Sequence, residues 1–261
     1  MSEIHQKSKE IIADEVCYKR NYLTEVIVRV DFLNEMIDID KVLPTKIAST
    51  ISKTFPISEP KKGIVKEYQI SPNGIRETLI KETQEWIFHG LNRDKKLTIT
   101  PSFFFIVYNV FSSYDVLEDE FTKVISALYE FSSIIQSRRL GLRYINNVRL
   151  NEEEPLNWNR YINPKLLQTI SFSNQPEYIS RAFNNLEYNY GDFNLRYQFG
   201  IFNPDFPATI KQKHFVLDFD AYYDGVQEYQ EIINSLRKFH GAIQTMFEMS
   251  ITDEFRNKLN E

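Results

Sequence analysis

The 261-residue sequence predicts an α+β protein: a mainly antiparallel sheet, internally duplicated as strand-helix-three-strand-helix units, with long helices packed on one face. Three observations predict it. Apolar and polar residues alternate over many short stretches, two longer stretches switch to helical spacing, and the order of elements occurs twice. The expected division is a polar tail at 1–15, a first half at 16–137 and a second half at 138–261, the halves forming one compact unit.

The strand YLTEVIVRVDFL opens the fold, with Tyr22, Thr24, Val26, Val28, Val30 and Phe32 on one face and Glu25, Arg29 and Asp31 on the other. In DKVLPTKIASTISKTF, Val42, Ile47, Ile51 and Phe55 fall at helical spacing, and Pro44 sits where a first turn tolerates it. GIVKEYQI, GIRETLIKE leading into EWIFHGL, KKLTIT and FFFIVYNVF then read as strands of a meander. Turn signals at 71–74, 92–94 and Pro101 separate them. From Tyr114 the stripe Leu117, Phe121, Val124, Ile125, Leu128 and Phe131 marks the first long helix, with Asp115, Glu118, Asp119 and Glu120 near its N-terminal dipole.

The second half repeats that order. LGLRYINNVRLN lies on the first strand. NPKLLQTI lies on PTKIASTI through a shared Lys-[Ile/Leu]-x-x-Thr-Ile, and three strands follow in EYISRAFNNLEYNY, FNLRYQFGIF and KHFVLDFDAYY. VQEYQEIINSLRKF shares Ile-x-[Ala/Ser]-Leu-x-x-Phe with the first long helix, at 125–131 and 233–239. A last short helix begins at a Thr252 cap, with Phe255 and Leu259 facing inward.

Composition bounds the function. With 42% hydrophobic and 26% charged residues the chain has the balance of a soluble globular protein, and 20 Phe and 15 Tyr against 8 Gly favour half-buried strands. A net charge of −5 argues against a surface built throughout to grip nucleic acid. Cys17 is the single cysteine, which excludes an intrachain disulfide and a cysteine-based zinc cluster. MSEIHQKSKEIIADE lacks the apolar core of a signal peptide, and no run approaches the roughly 20 apolar residues of a membrane span, so a cytoplasmic protein is expected.

The opening YLTEVIVRVDF, SFFFIVY followed by YDVLEDEF, LGLRYINNV, and LDFDAY followed by FEMSITDEFR together resemble an uncharacterised, sporadically distributed prokaryotic family of about this length. The resemblance spans nearly the whole chain and implies a prokaryotic source and a single full-length unit. It carries no catalytic residues to transfer, and the sporadic distribution suggests a role beside mobile elements or in host defence.

HFVLDFDAYYDG holds the densest cluster of chemistry. Alternation puts Phe215, Leu217, Phe219, Ala221 and Tyr223 on one face, and His214, Val216, Asp218, Asp220 and Tyr222 on the other. At about 3.3 Å per residue His214 lies roughly 13 Å from Asp218, too far for one ion. Asp218 and Asp220, about 7 Å apart, are close enough to hold a divalent cation or share a proton, or else to pair with Arg143, Arg149 or Arg196 of neighbouring strands. Asp224-Gly225 reads as the turn and cap of the last long helix.

The open face is thus expected to gather Arg143, Asn147, Arg149, Asn194, Arg196, Gln198, Asp218, Asp220 and Tyr222. Such a face suits a partner protein or a small anionic or zwitterionic ligand, and its bland counterpart is a salt-bridge ladder that keeps a sheet soluble. No nucleophile elbow, phosphate-cradling glycine loop, metalloprotease signature or kinase signature is present. His89 reads as a strand-end residue, and His240 as a helix position beside the core residue Phe239. The repeated unit is similar to that of sliding clamps, but Glu118, Asp119, Glu120, Glu228 and Glu231 oppose a DNA-facing role for the helices. Three successive Phe at 103–105, with Tyr108, could stack bases, yet they point to both faces, so one face is core. The expectation is a binding module with Arg143, Arg196, Asp218, Asp220 and Tyr222 at its site, compatible with a homo-oligomer and needing no cofactor or bound metal. The alternative is a metal-assisted hydrolase or transferase that uses Asp218 and Asp220 as ligands and Arg143 or Arg196 against developing negative charge.

Overall fold

The computed structural model describes residues 17–71, 74–132 and 136–261. The expected tail at 1–15, and the centre of the turn at 71–74, lie outside the described residues. The first part of the chain forms β1 (Leu23–Phe32), α1 (Thr45–Ser52), β2 (Ile57–Ser58), β3 (Lys61–Ser71), β4 (Gly74–His89), β5 (Lys95–Ile99), β6 (Phe103–Tyr108) and α2 (Tyr114–Phe131). The rest forms β7 (Ser137–Leu150), α3 (Gln168–Ser171), β8 (Ala182–Asn189), β9 (Asn194–Ile201), β10 (Lys213–Gln227), α4 (Tyr229–Ser250) and α5 (Asp253–Leu259).

The ten strands of the described residues make one open sheet in the order β2-β4-β5-β6-β1-β7-β10-β9-β8, with β3 pairing β4 outside that path. All the pairings are antiparallel. The centre is the β1–β7 seam, where Ile27 faces Arg143 and Val28 faces Leu142. One end of the sheet is β2, only two residues long; the other is β8, eight residues long. β8 lies close on β9, because Gly200 has φ +155° and a Cβ there would fall 2.0 Å from the carbonyl oxygen of Ala182.

Alternation decides which side chains meet the helices. Val26, Val28 and Val30 of β1, Leu140 and Leu142 of β7, and Phe215, Leu217, Phe219 and Ala221 of β10 are fully buried. Phe104 packs against Phe121 of α2 at 5.6 Å, and Phe219 against Phe247 of α4 at 6.4 Å. Ser113 caps α2 by accepting from the Val116 amide, and the expected Thr252 cap accepts from Phe255 at the start of α5.

GIRETLIKE leads into EWIFHGL as one strand, β4, as the sequence predicts, while several other expectations are corrected. Val42 is 68% exposed ahead of α1, and Phe55 is buried beyond its end, because the helix covers only Thr45–Ser52. NPKLLQTI, aligned by sequence with the first short helix, forms a 3₁₀ turn, Pro164–Leu167, that runs into the single turn of α3. Asp224 does not cap α4. Arg139 holds its carboxylate at 2.5 Å across the ladder, β10 continues to Gln227, and Glu228 and Glu231 form the capping box. Glu120, expected near the N-terminal dipole of the helix, is buried: it accepts from Lys95 Nζ and, at 3.0 Å, from the Tyr108 hydroxyl.

Candidate functional site

The residues singled out on β10 and its neighbours do meet, as a chain of charge pairs. Arg143 of β7 forks onto Asp218, its Nε donating to Oδ1 at 2.8 Å and its terminal nitrogen to Oδ2 at 2.6 Å. Arg196 of β9 donates to Glu187 of β8 at 3.0 Å and stands 3.9 Å from Asp220. Tyr222 donates to Glu187 at 3.3 Å and lies under the Arg139 guanidinium, 4.4 Å from the ring centroid. Burial pushes the Asp220 carboxyl up against the pull of Arg143, Arg139 and Arg196.

This row is less open than alternation alone implies. His214, Val216 and Asp218 are buried, with the Phe202 ring 4.8 Å from His214 and Asn147 Oδ1 3.0 Å from His214 Nε2. Only Asp220 and Tyr222 are partly accessible. Both Asp218 oxygens are engaged by Arg143, and among the described residues no three His, Cys, Asp or Glu side chains are grouped to hold a metal ion. The arrangement therefore offers little to the metal-assisted alternative. The pairs are also unequal: Arg143→Ala should cost about 2–3 kcal/mol because it strands a buried carboxylate, whereas Arg196→Ala should cost under about 1 kcal/mol. Urea unfolding of the two variants checks the order.

A cavity of about 130 Å³ lies on the opposite side of the sheet. Core-facing residues of β7 and β10, among them Asn146, Val148 and Phe219, form one wall, and His240, Ile243 and Phe247 of α4 face them. Phe255 of α5 and the segment 17–22 complete it, with the exposed Cys17, Arg20 and Asn21 at the rim. Tyr18 donates to Glu248 Oε1 at 2.7 Å, Arg256 donates to Oε2 at 2.8 Å, and Tyr22 stacks on Phe255 at 5.6 Å. These contacts fix segment 17–22 against α4 and α5.

Two polar side chains stand out in this wall. Asn146 takes the core-facing position between Tyr144 and Val148, is 5% exposed, and is engaged among the described residues only by a 3.4 Å contact from Nδ2 to the Leu217 carbonyl. His240 stacks on Tyr114 with ring centroids 3.9 Å apart and ring planes nearly parallel, and its Nδ1 meets the Tyr144 hydroxyl at 3.1 Å. Its Nε2 is buried without a hydrogen-bond partner among the described residues. Burial holds this imidazole at a pKa of about 4, so it is neutral at pH 7.

Sequence reasoning placed His240 beside the core but not in a cavity, and it passed over Asn146. The signal for Asn146 was there: Leu140, Leu142, Tyr144 and Val148 make an apolar row that one amide interrupts. The cavity itself joins residues from both ends of the chain, which local pattern does not reveal. In comparisons with known proteins, no family model matches the chain and no curated protein matches it. No helix among the described residues is long and apolar enough to cross a membrane.

Proposed function

We propose that this chain is a binding module for a small ligand, seated in the cavity between the sheet and helices α4 and α5. The observation that carries the reading is the convergence of Asn146 and His240, from separate elements, in one space within an otherwise largely apolar wall. Burying the Asn146 amide with one long contact costs stability, and a ligand that pairs with it recovers that cost. Thermal unfolding with a panel of small aromatic and aliphatic probes tests it. Binders should raise the melting temperature of the native chain and leave that of Val148→Trp, which fills the space, unchanged. Equal shifts in both proteins would place the ligands elsewhere.

A second reading concerns the outer face of the sheet, where Arg143, Arg196, Asp218, Asp220 and Tyr222 would meet a partner protein. What favours it is the neighbouring row on β6: Phe103 and Phe105 stack at 5.9 Å, with Arg29 over Phe103 at 4.2 Å and Lys96 over Phe105 at 5.7 Å. Apolar rings beside paired charges have the make-up of a protein-binding surface. Because the charges already satisfy one another, this face suits a partner better than a small anion.

We also infer that 16–137 and 138–261 are two copies of one unit, whose long helices α2 and α4 cover the same side of the sheet. The pairing order supports this. In the first half β1 pairs with β6, the last strand of the meander β4-β5-β6; in the second, β7 pairs with β10, the last of β8-β9-β10.

A further inference from the structure

Resting on the cavity reading above, we infer that the cavity takes an uncharged aromatic ring bearing one hydrogen-bonding substituent, the phenol class of ligand. Size sets the first limit. About 130 Å³ is close to the roughly 150 Å³ of an apolar protein cavity known to admit benzene, and far below the space a nucleotide or cofactor needs. The walls set the second. Phe111, Phe219 and Phe247 present ring faces and edges, and ring ligands pack against these better than linear chains do.

Charge sets the third limit. Glu248, the one carboxylate in the wall among the described residues, has both oxygens engaged by Tyr18 and Arg256, and His240 is a neutral imidazole. Arg20 belongs to the exposed rim, in water. An ionised ligand would lose its hydration without gaining a counter-charge inside. Hydrogen bonding sets the last limit, because the Asn146 amide carries both a donor and an acceptor and makes only one 3.4 Å contact among the described residues. A hydroxyl both donates and accepts, so a single phenolic group answers both.

Isothermal titration of the full chain with phenol, benzene, benzoate and benzylammonium decides the matter. An environment-sensitive dye on Cys17, the chain's one cysteine and part of the cavity rim, gives a second readout. Phenol should bind, benzene about tenfold more weakly, and the two ions not measurably. Asn146→Leu should bring phenol down to the benzene level and leave benzene unchanged. Benzoate or benzylammonium binding more tightly than phenol would overturn the uncharged class while leaving the cavity reading in place. Benzene equal to phenol would overturn the hydrogen-bonding part. No binding by any of the four would overturn the cavity reading itself. If Asn146→Leu does not fold, the four probes on the native chain still give one of these outcomes.

Discussion

Glu120→Ala should destabilise the fold by about 3 kcal/mol or more, the largest single effect expected from any charged position on α2. The carboxylate is buried and is the acceptor for both the Lys95 ammonium and the Tyr108 hydroxyl, so its removal strands two polar groups under α2. The lysine is 16% exposed and packs 5.1 Å from the Phe55 ring, which leaves it little room to reach water. Replacing both charged partners together, Glu120→Met with Lys95→Met, should recover much of the loss, short of what the unpaired Tyr108 hydroxyl still costs, because a buried pair traded for apolar groups of like volume is close to neutral. Chemical unfolding of the single and double variants is the check. A double variant no more stable than Glu120→Ala would mean that the site depends on shape and not on charge.

The second large effect is acid loss of stability through two histidines. Burial holds both His214 and His240 at a pKa of about 4, with the Arg149 charge a lesser cause at His214, against about 6.5 in the unfolded chain. Between those values the unfolded chain binds a proton that the folded chain refuses, so stability is complete above about pH 6.5 and falls as the pH drops toward 4. A shift of that size amounts to about 3 kcal/mol for a fully buried ring. His214, 2% exposed, should carry the larger share, and His240, partly open at the cavity, the smaller. Glu59 and Glu152, held below the usual carboxylate range chiefly by hydrogen bonds from Arg93 and Lys213, add their own acid loss only at lower pH. Asp220, pushed up by burial, works in the opposite sense, so the difference between pH 7 and pH 5 is assigned to the histidines by comparing each histidine variant with the native chain. His214→Gln should flatten much of that difference, and an unchanged slope would remove His214 from the account.

The strands and long helices were legible because each is written in local pattern. Val26, Val28 and Val30 on β1, and Phe215 to Ala221 on β10, announce their faces by alternation, and the stripe Leu117 to Leu128 announces α2. The pairing of Arg143 with Asp218 was also foreseeable, since opposite charges on neighbouring strands seek each other. What local pattern could not carry was depth. Glu120 reads as a solvated acid until the Lys95 and Tyr108 strands are placed beside it, and His214 reads as surface until Phe202 folds over it. Asp224 reads as a cap until Arg139 claims it. The cavity needed segment 17–22, β7, α4 and α5 in place together before Asn146 and His240 could be seen to share a wall.

The contrast between the two ends of the sheet bears on handling. On one side β2 is only two residues long and the longer β3 carries Lys61, Lys62 and Lys66, but AFNNLEYN of β8 offers eight residues of backbone edge with no proline and no lysine to deter a newcomer. Its single acid, Glu187, is already occupied by Arg196 and Tyr222. In concentrated stocks, that border is where chains would begin to stitch into fibrils, and a gatekeeper lysine on it is the natural remedy for poor solubility.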